Sequence, residues 1–156
     1  MNRMKARHQP RILAIASEGG HWVQLMRLRP AFDSCEVIYA VSRTRSEPTT
    51  FPKQVHQVPC CNRRQPAAMF RCLISIILLV IRIRPDVIVT TGAAPGGIAA
   101  LVGRMCGARV AWIDSIANAE QLSLSGRLAG WISGLWLTQW PHLQRPNGPH
   151  HAGSVL

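Results

Sequence analysis

Three loops in this sequence place small residues and polar side chains where they suit an oxygen-rich ligand. The first is Ser17–Glu18–Gly19–Gly20–His21, in which an imidazole follows two glycines. Adjacent glycines let the backbone approach a ligand closely, and a helix opening there offers unpaired N–H groups to a phosphate. An imidazole at such a mouth can take a proton from a hydroxyl near neutral pH, so His21 is the candidate general base. Glu18 is the candidate carboxylate that orients the ring, with an ordinary solvated charge as the alternative. The second loop, Thr90–Thr91–Gly92–Ala93–Ala94–Pro95–Gly96–Gly97, offers hydroxyls and glycines at another helix start. It suits a sugar or phosphate oxygen, and equally suits close packing of a helix on a sheet. The third begins with Asp114–Ser115 and continues through Asn118, Glu120 and Gln121. Asp114 can bind a sugar hydroxyl there, or serve as a plain turn residue. Neither G-x-G-x-x-G nor G-K-[ST] is present, so the common dinucleotide and P-loop signatures are not met.

The elements that must hold these loops alternate between short apolar strands and longer helices. Strands are expected at 11–16, 36–41, 54–58, 86–90, 109–113 and 135–139, and helices at 20–32, 67–83, 96–106 and 126–133. Apolar, β-branched strands alternating with helices argue for an open parallel α/β sheet with helices on both faces. In such sheets ligands bind beyond the carboxyl ends of the strands, where all three loops lie. The expected organisation is a basic extension over 1–10, a Rossmann-like domain over 11–139 and an irregular tail over 140–156. Pro141, Pro146 and Pro149 give that tail no periodicity. Trp112, Trp131, Trp136 and Trp140 all fall in the final third, a set suited to core and interface.

With 156 residues there is room for one domain and not two. Hydrophobic residues make up 47%, which excludes a disordered polar chain. Net charge is +11, lying almost wholly in residues 1–84 (+10) rather than 85–156 (+1). One half should therefore face something anionic. Cys35, Cys60, Cys61, Cys72 and Cys106 are odd in number and lack C-x-x-C, so free thiols in a reducing cytosol are expected. The apolar run at 12–16 is too short for the core of a signal peptide.

Cys72–Ile81 reads CLISIILLVI, ten uncharged residues. A membrane span needs about 20. Apolar residues lie almost all round this helix, which favours burial against the sheet. Arg63, Arg64, Arg71, Arg82 and Arg84 flank it and suit peripheral attachment to anionic lipid. No zinc-protease helix, metal-spaced cluster, nucleophile elbow or RNA-binding signature occurs.

Taken in order, S-E-G-G-H-W, R-P-D-V-I-V-T-T-G-A-A-P, W-I-D-S-I-A-N-A-E-Q-L-S-L-S-G-R and T-Q-W-P-H resemble a known family. It is the acceptor-side, membrane-associated subunit of two-part GT-B glycosyltransferases. Its eukaryotic members work in lipid-linked oligosaccharide assembly, and its bacterial members, of the PssD type, in exopolysaccharide synthesis. The resemblance runs from about Arg11 onward. It implies the N-terminal, Rossmann-like half of a GT-B enzyme, whose donor-binding partner subunit holds most of the UDP-sugar site. No further cofactor is implied. Together the two would extend a polyprenyl-diphosphate-linked saccharide at the cytoplasmic face of the membrane. Carried over by position, Ser17, Gly19, Gly20, Thr91, Gly92, Ala93, Pro95, Asp114 and Ser115 would line the acceptor and diphosphate cleft. Trp140, Pro141 and His142 would meet the partner. Eukaryotic members carry an N-terminal membrane span that this chain is expected to lack, which leaves peripheral attachment.

Two other classes compete. A basic nucleic-acid or membrane-surface module without catalysis would explain the charge, but the sequence offers no recognition motif for nucleic acid. A self-sufficient small enzyme would need a triad that neither Ser17 nor Ser115 supplies.

Overall fold

The β-branched apolar runs pair as strands of one parallel sheet. A computed structural model describes residues 9–43, 55–61 and 65–155. Among these, seven strands form the sheet: β1 (Arg11–Ser17), β2 (Glu36–Arg43), β3 (Val55–Pro59), β4 (Val87–Thr90), β5 (Arg109–Ile113), β6 (Leu135–Thr138) and β7 (His150–His151). Their spatial order is β3-β2-β1-β4-β5-β6-β7, every pairing parallel. Order reverses between β1 and β4, which opens a crevice at their carboxyl ends. This is the open Rossmann-like class expected from the sequence. Arg11 ties the amino edge: its backbone N–H reaches Asp86 Oδ2 at 2.7 Å, and its guanidinium reaches Glu36 Oε2 at 3.0 Å.

Among the described residues four α-helices cover the sheet: α1 (Gly20–Arg27), α2 (Pro66–Ile83), α3 (Ala93–Met105) and α4 (Leu124–Ala129). α1 packs on one face, where Trp22 and Leu25 join Ile12, Ala14, Tyr39 and Val41. Burial raises the Tyr39 phenol above its ordinary pKa, outweighing the opposing charge of Arg29. The other helices pack on the opposite face, over Leu13, Ile15, Ile88, Val110 and Trp112. α3 lies close to β4 because a side chain at Gly96 would strike Thr90, and one at Gly103 would strike Ile88. Replacing Gly103 by leucine should therefore cost about 1–3 kcal/mol, read as a lower thermal midpoint.

Several boundaries differ from the sequence reading. The first helix stops at Arg27, and Arg29–Phe32 forms a separate 3₁₀ turn, because Pro30 has no N–H to continue the ladder. α3 starts at Ala93 rather than Gly96, since Pro95 falls in its first turn, where no N–H is required. α4 starts early, at the Ser123 cap, and stops at Gly130, where a side chain would strike Trp136. The tail is not wholly irregular. Pro141–Leu143 forms a 3₁₀ turn and β7 extends the sheet beside β6. A pair of histidines between prolines and glycines carries no strand signal, so this pairing is tertiary in origin.

Two further expectations are corrected. Cys61 and Cys72 form a disulfide, while Cys35, Cys60 and Cys106 are free. Their Cα atoms lie 5.9 Å apart, a distance that suits a bridge and that no spacing motif announces. α2 is not buried all round either. It buries Cys72, Ile76, Leu79, Val80 and Ile83 but exposes Phe70, Ile74, Leu78 and Ile81. Arg63, Arg64 and residues 1–8 lie outside the described residues.

Candidate functional site

β1 and β4 end side by side, and each hands the chain to a helix through a glycine. Gly19 (φ 83°) and Gly92 (φ 114°) precede α1 and α3, and neither helix start has a side-chain cap. Both helix starts therefore lie at the crevice without a side-chain acceptor, the arrangement that suits an anion. Gly19 and Gly20 are exposed, and a side chain at either would meet nothing within 4 Å.

His21 bridges the two loops. Its Nδ1 lies 2.8 Å from the carbonyl oxygen of Thr91, and the Thr91 hydroxyl donates back to the His21 carbonyl at 2.7 Å. A carbonyl only accepts, so Nδ1 carries the hydrogen and the neutral ring keeps its lone pair on Nε2. The ring is half-buried, with Gly92 against it: a side chain there would lie 3.2 Å from His21 Cε1 and 3.5 Å from Trp112 Cζ2. The backbone at Gly92 is held by Thr90, whose Oγ1 accepts from Gly92 N at 3.1 Å. The Nδ1 partner is thus the Thr91 carbonyl, so the Thr91 loop orients the ring at that atom, while Glu18 is exposed at the same turn.

The remaining residues carried over to this cleft divide by burial. Ser17 is half-buried at the end of β1, and Ala93 is half-buried at the α3 start. Thr91 is 0% exposed, and Pro95 is buried in the first turn of α3. These two hold the loop and do not face a ligand.

Asp114 is 1% exposed, and its carboxylate is fully engaged. Oδ1 accepts from Trp112 Nε1 at 3.2 Å and from the Ser123 hydroxyl at 2.9 Å. Oδ2 accepts from Asn118 Nδ2 at 3.2 Å and from Ser123 N at 3.3 Å. Four donors fill the acceptor sites of one carboxylate. Asp114 is therefore the organiser of the 115–123 loop rather than a sugar ligand, and Ser115, 7% exposed, turns its hydroxyl onto Ala117 N at 3.3 Å.

The segment after β6 laces the same loop from outside. Trp140 Nε1 donates to the Ile116 carbonyl at 2.9 Å, and His142 Nε2 lies 2.7 Å from the Ala119 carbonyl. Trp140 is half-buried, while Pro141 and His142 are exposed. Gln139 joins both sides: its Nε2 donates to the Asp114 carbonyl at 3.2 Å, and its Oε1 accepts from Val155 N at 2.8 Å. Sequence reasoning placed Asn118 in the polar loop and Trp112 among the core aromatics, but gave neither of them, nor Gln139, a role at Asp114. Ser123 carried a signal of its own, its position before a helix start, where its hydroxyl accepts from Gly126 N. Trp140→Ala should lower stability by about 1–3 kcal/mol and speed hydrogen exchange across the loop at 115–123.

Comparison with known proteins follows the same lines. A family model described as oligosaccharide biosynthesis protein Alg14 like matches residues 53–154. The mouse UDP-N-acetylglucosamine transferase subunit ALG14 is 28% identical over 171 residues, covering 88% of this chain and 79% of the mouse protein. The human protein of that name is 25% identical over 165 residues, covering 85% of this chain and 76% of its own length. Among solved structures, MurG of Acinetobacter baumannii superposes with a TM-score of 0.70 at 12% identity. The match covers 93% of this chain and 45% of MurG. UDP-N-acetylglucosamine 2-epimerase of Rickettsia bellii gives 0.69 at 12% identity, over 95% of this chain and 46% of the enzyme. The chain thus spans just under half of each of these structures, and the likeness is one of fold. The family match at residues 53–154 covers most of the chain and takes in the motifs at 84–95, 112–127 and 138–142: the chain belongs to the Alg14-like oligosaccharide biosynthesis family.

Proposed function

We propose that this chain is the acceptor-side subunit of a two-part, UDP-sugar-dependent glycosyltransferase that extends a polyprenyl-diphosphate-linked saccharide. The observation that carries this reading is the His21–Thr91 pair at the β1–β4 crevice, with Nε2 left as the basic atom. His21 takes the proton of the acceptor hydroxyl as the sugar is transferred. The N–H groups opening α1 and α3 meet the acceptor diphosphate. A donor-binding partner supplies the rest of the cleft and most of the contacts to the UDP-sugar. The relatives' names make UDP-N-acetylglucosamine the first donor to try. No other cofactor is called for. The complex sits peripherally on the cytoplasmic face of the membrane, with no role for nucleic acid.

Co-expression with a candidate donor subunit, followed by UDP-sugar turnover with membranes as acceptor source, tests this. Transfer that needs both chains supports it. Transfer by either chain alone, or by neither combination, overturns it.

The partner is expected to dock at the carboxyl edge, at Trp140, Pro141 and His142. Ending the chain at Gln139 is a poor test, since it also removes β7 and the lacing of the 115–123 loop. Pro141→Asp changes an exposed residue instead, and should weaken co-purification about tenfold with unchanged melting. Undiminished co-purification would place the interface elsewhere.

A further inference from the structure

We infer that Trp112 is the positioning residue for His21. Its indole, fixed by Asp114, holds the Gly92 loop against the imidazole and so keeps the basic nitrogen available at the crevice. The positioning stands on geometry alone, and only its effect on turnover rests on the proposed function.

Trp112 is 0% exposed and lies on β5 directly beside Thr90 of β4. One edge of its ring makes two contacts. Nε1 donates to Asp114 Oδ1 at 3.2 Å. On the same edge, Cζ2 borders the space in front of Gly92, where a side chain would lie 3.5 Å from it. His21 borders that space too, with Cε1 at 3.2 Å and Nδ1 at 3.5 Å from the same point. One glycine therefore separates the indole from the imidazole. At φ 114° it occupies a conformation that residues with side chains rarely adopt.

Packing alone does not choose the turn of the indole. Trp112 also lines an apolar slot of about 220 Å³ between α3 and α4, beside Leu101, Leu128 and Ile132. A ring with open space beside it has room to turn about χ2, whose wells are broad and roughly two-fold. The hydrogen bond to Asp114 selects the turn that brings Cζ2 to Gly92. Asp114 is itself pinned by Ser123 and Asn118, so the indole rests on a fixed carboxylate.

Two short links carry this to His21. Gly92 N donates to Thr90 Oγ1 at 3.1 Å, and the Thr91 carbonyl just before it accepts from His21 Nδ1 at 2.8 Å. A Gly92 free to move takes that carbonyl with it. The ring then loses the partner that keeps hydrogen on Nδ1 and the lone pair on Nε2.

Ring nitrogen chemical shifts of His21, measured on the full chain without a partner, test the inference. In the wild-type chain the Nδ1–H tautomer should dominate, and Trp112 Hζ2 should show cross-relaxation to the Gly92 Hα protons. Trp112→Phe removes both Nε1 and Cζ2 and should abolish that dominance. Ser123→Ala removes another donor to Asp114 Oδ1 together with the α4 cap, so it should melt lower yet keep the His21 signature. In the assembled enzyme Trp112→Phe should lower kcat about tenfold with KM nearly unchanged, and should cost nothing further in a His21→Ala background. A wild-type tautomer in Trp112→Phe, an equal change in Ser123→Ala, or additive losses with His21→Ala would each overturn the inference. If Trp112→Phe does not fold, missing cross-relaxation between Hζ2 and Gly92 in the wild-type chain overturns it, and its presence with Nδ1–H dominance supports it. A wild-type complex without turnover would defeat the functional reading, while the spectra still decide the positioning.

Discussion

His21→Ala in the assembled enzyme should lower turnover by about 10²–10⁴-fold, the usual range for losing a positioned general base. Its thermal midpoint should move by only a few degrees, since one half-buried hydrogen bond is worth roughly 0.5–1.5 kcal/mol. The geometry also ranks the neighbours. Thr91→Val keeps the carbonyl that fixes Nδ1 but removes the hydroxyl that donates to the His21 carbonyl at 2.7 Å. That variant should lose about tenfold through a looser ring, with most of the loss in kcat. Glu18→Gln should turn over at nearly the normal rate, because the Nδ1 partner of His21 is the Thr91 carbonyl. Steady-state rates of the three variants check the order. If Glu18→Gln fell furthest, the carboxylate and not the threonine loop would be the partner that matters.

Asp114→Ala should be the most damaging change to the fold. It strands Trp112 Nε1, Asn118 Nδ2, the Ser123 hydroxyl and the Ser123 N–H in a site that is 1% exposed. A buried donor left unpaired costs about 1–3 kcal/mol, and relaxation or entry of water reduces the sum. A loss of about 3–6 kcal/mol remains, which corresponds to roughly 6–20 °C in thermal midpoint for a domain of this size. Asp114→Asn keeps one acceptor and should fall in between. Melting curves of the two variants decide the matter. Near-normal melting of Asp114→Ala with lost acceptor binding would restore Asp114 as a ligand.

The contrast between His21 and Asp114 shows what a sequence of this kind discloses. The strands β1, β2, β4 and β5 were legible because strands buried on both faces must be continuously apolar. The crevice was legible as well, because parallel topology sends every loop after a strand to one edge. Which loop residues face outward was not. Asp114 and His21 each follow a strand and each suit a sugar hydroxyl, yet one is sealed behind Ser123 and the other is half-open. That difference is decided by residues 9 and 70 positions away, Ser123 and Thr91, and no periodicity links them. β7 and the Cys61–Cys72 bridge escaped for the same reason, since each is a meeting of segments and not a pattern within one. The outward stripe of α2 escaped differently. A helix apolar all round reads as buried, and the sequence does not say that only one side of the sheet was there to receive it.

The threading of the last residues also bears on how the molecule is made. Val155 accepts a hydrogen bond from Arg27 at 3.1 Å and donates one to Gln139 at 2.8 Å, so the end of the first helix is fastened by a residue 128 positions further along the chain. Synthesis at about 5–20 residues per second gives β1 to β6 time to assemble first. The lateral edge of the sheet at β6 then waits for β7. During that interval the edge of β6 is exposed to any other strand that can pair with it. Nascent chains stalled or cleaved before His150 should therefore be the aggregating species in a cell, while chains that include β7 cover the β6 edge themselves.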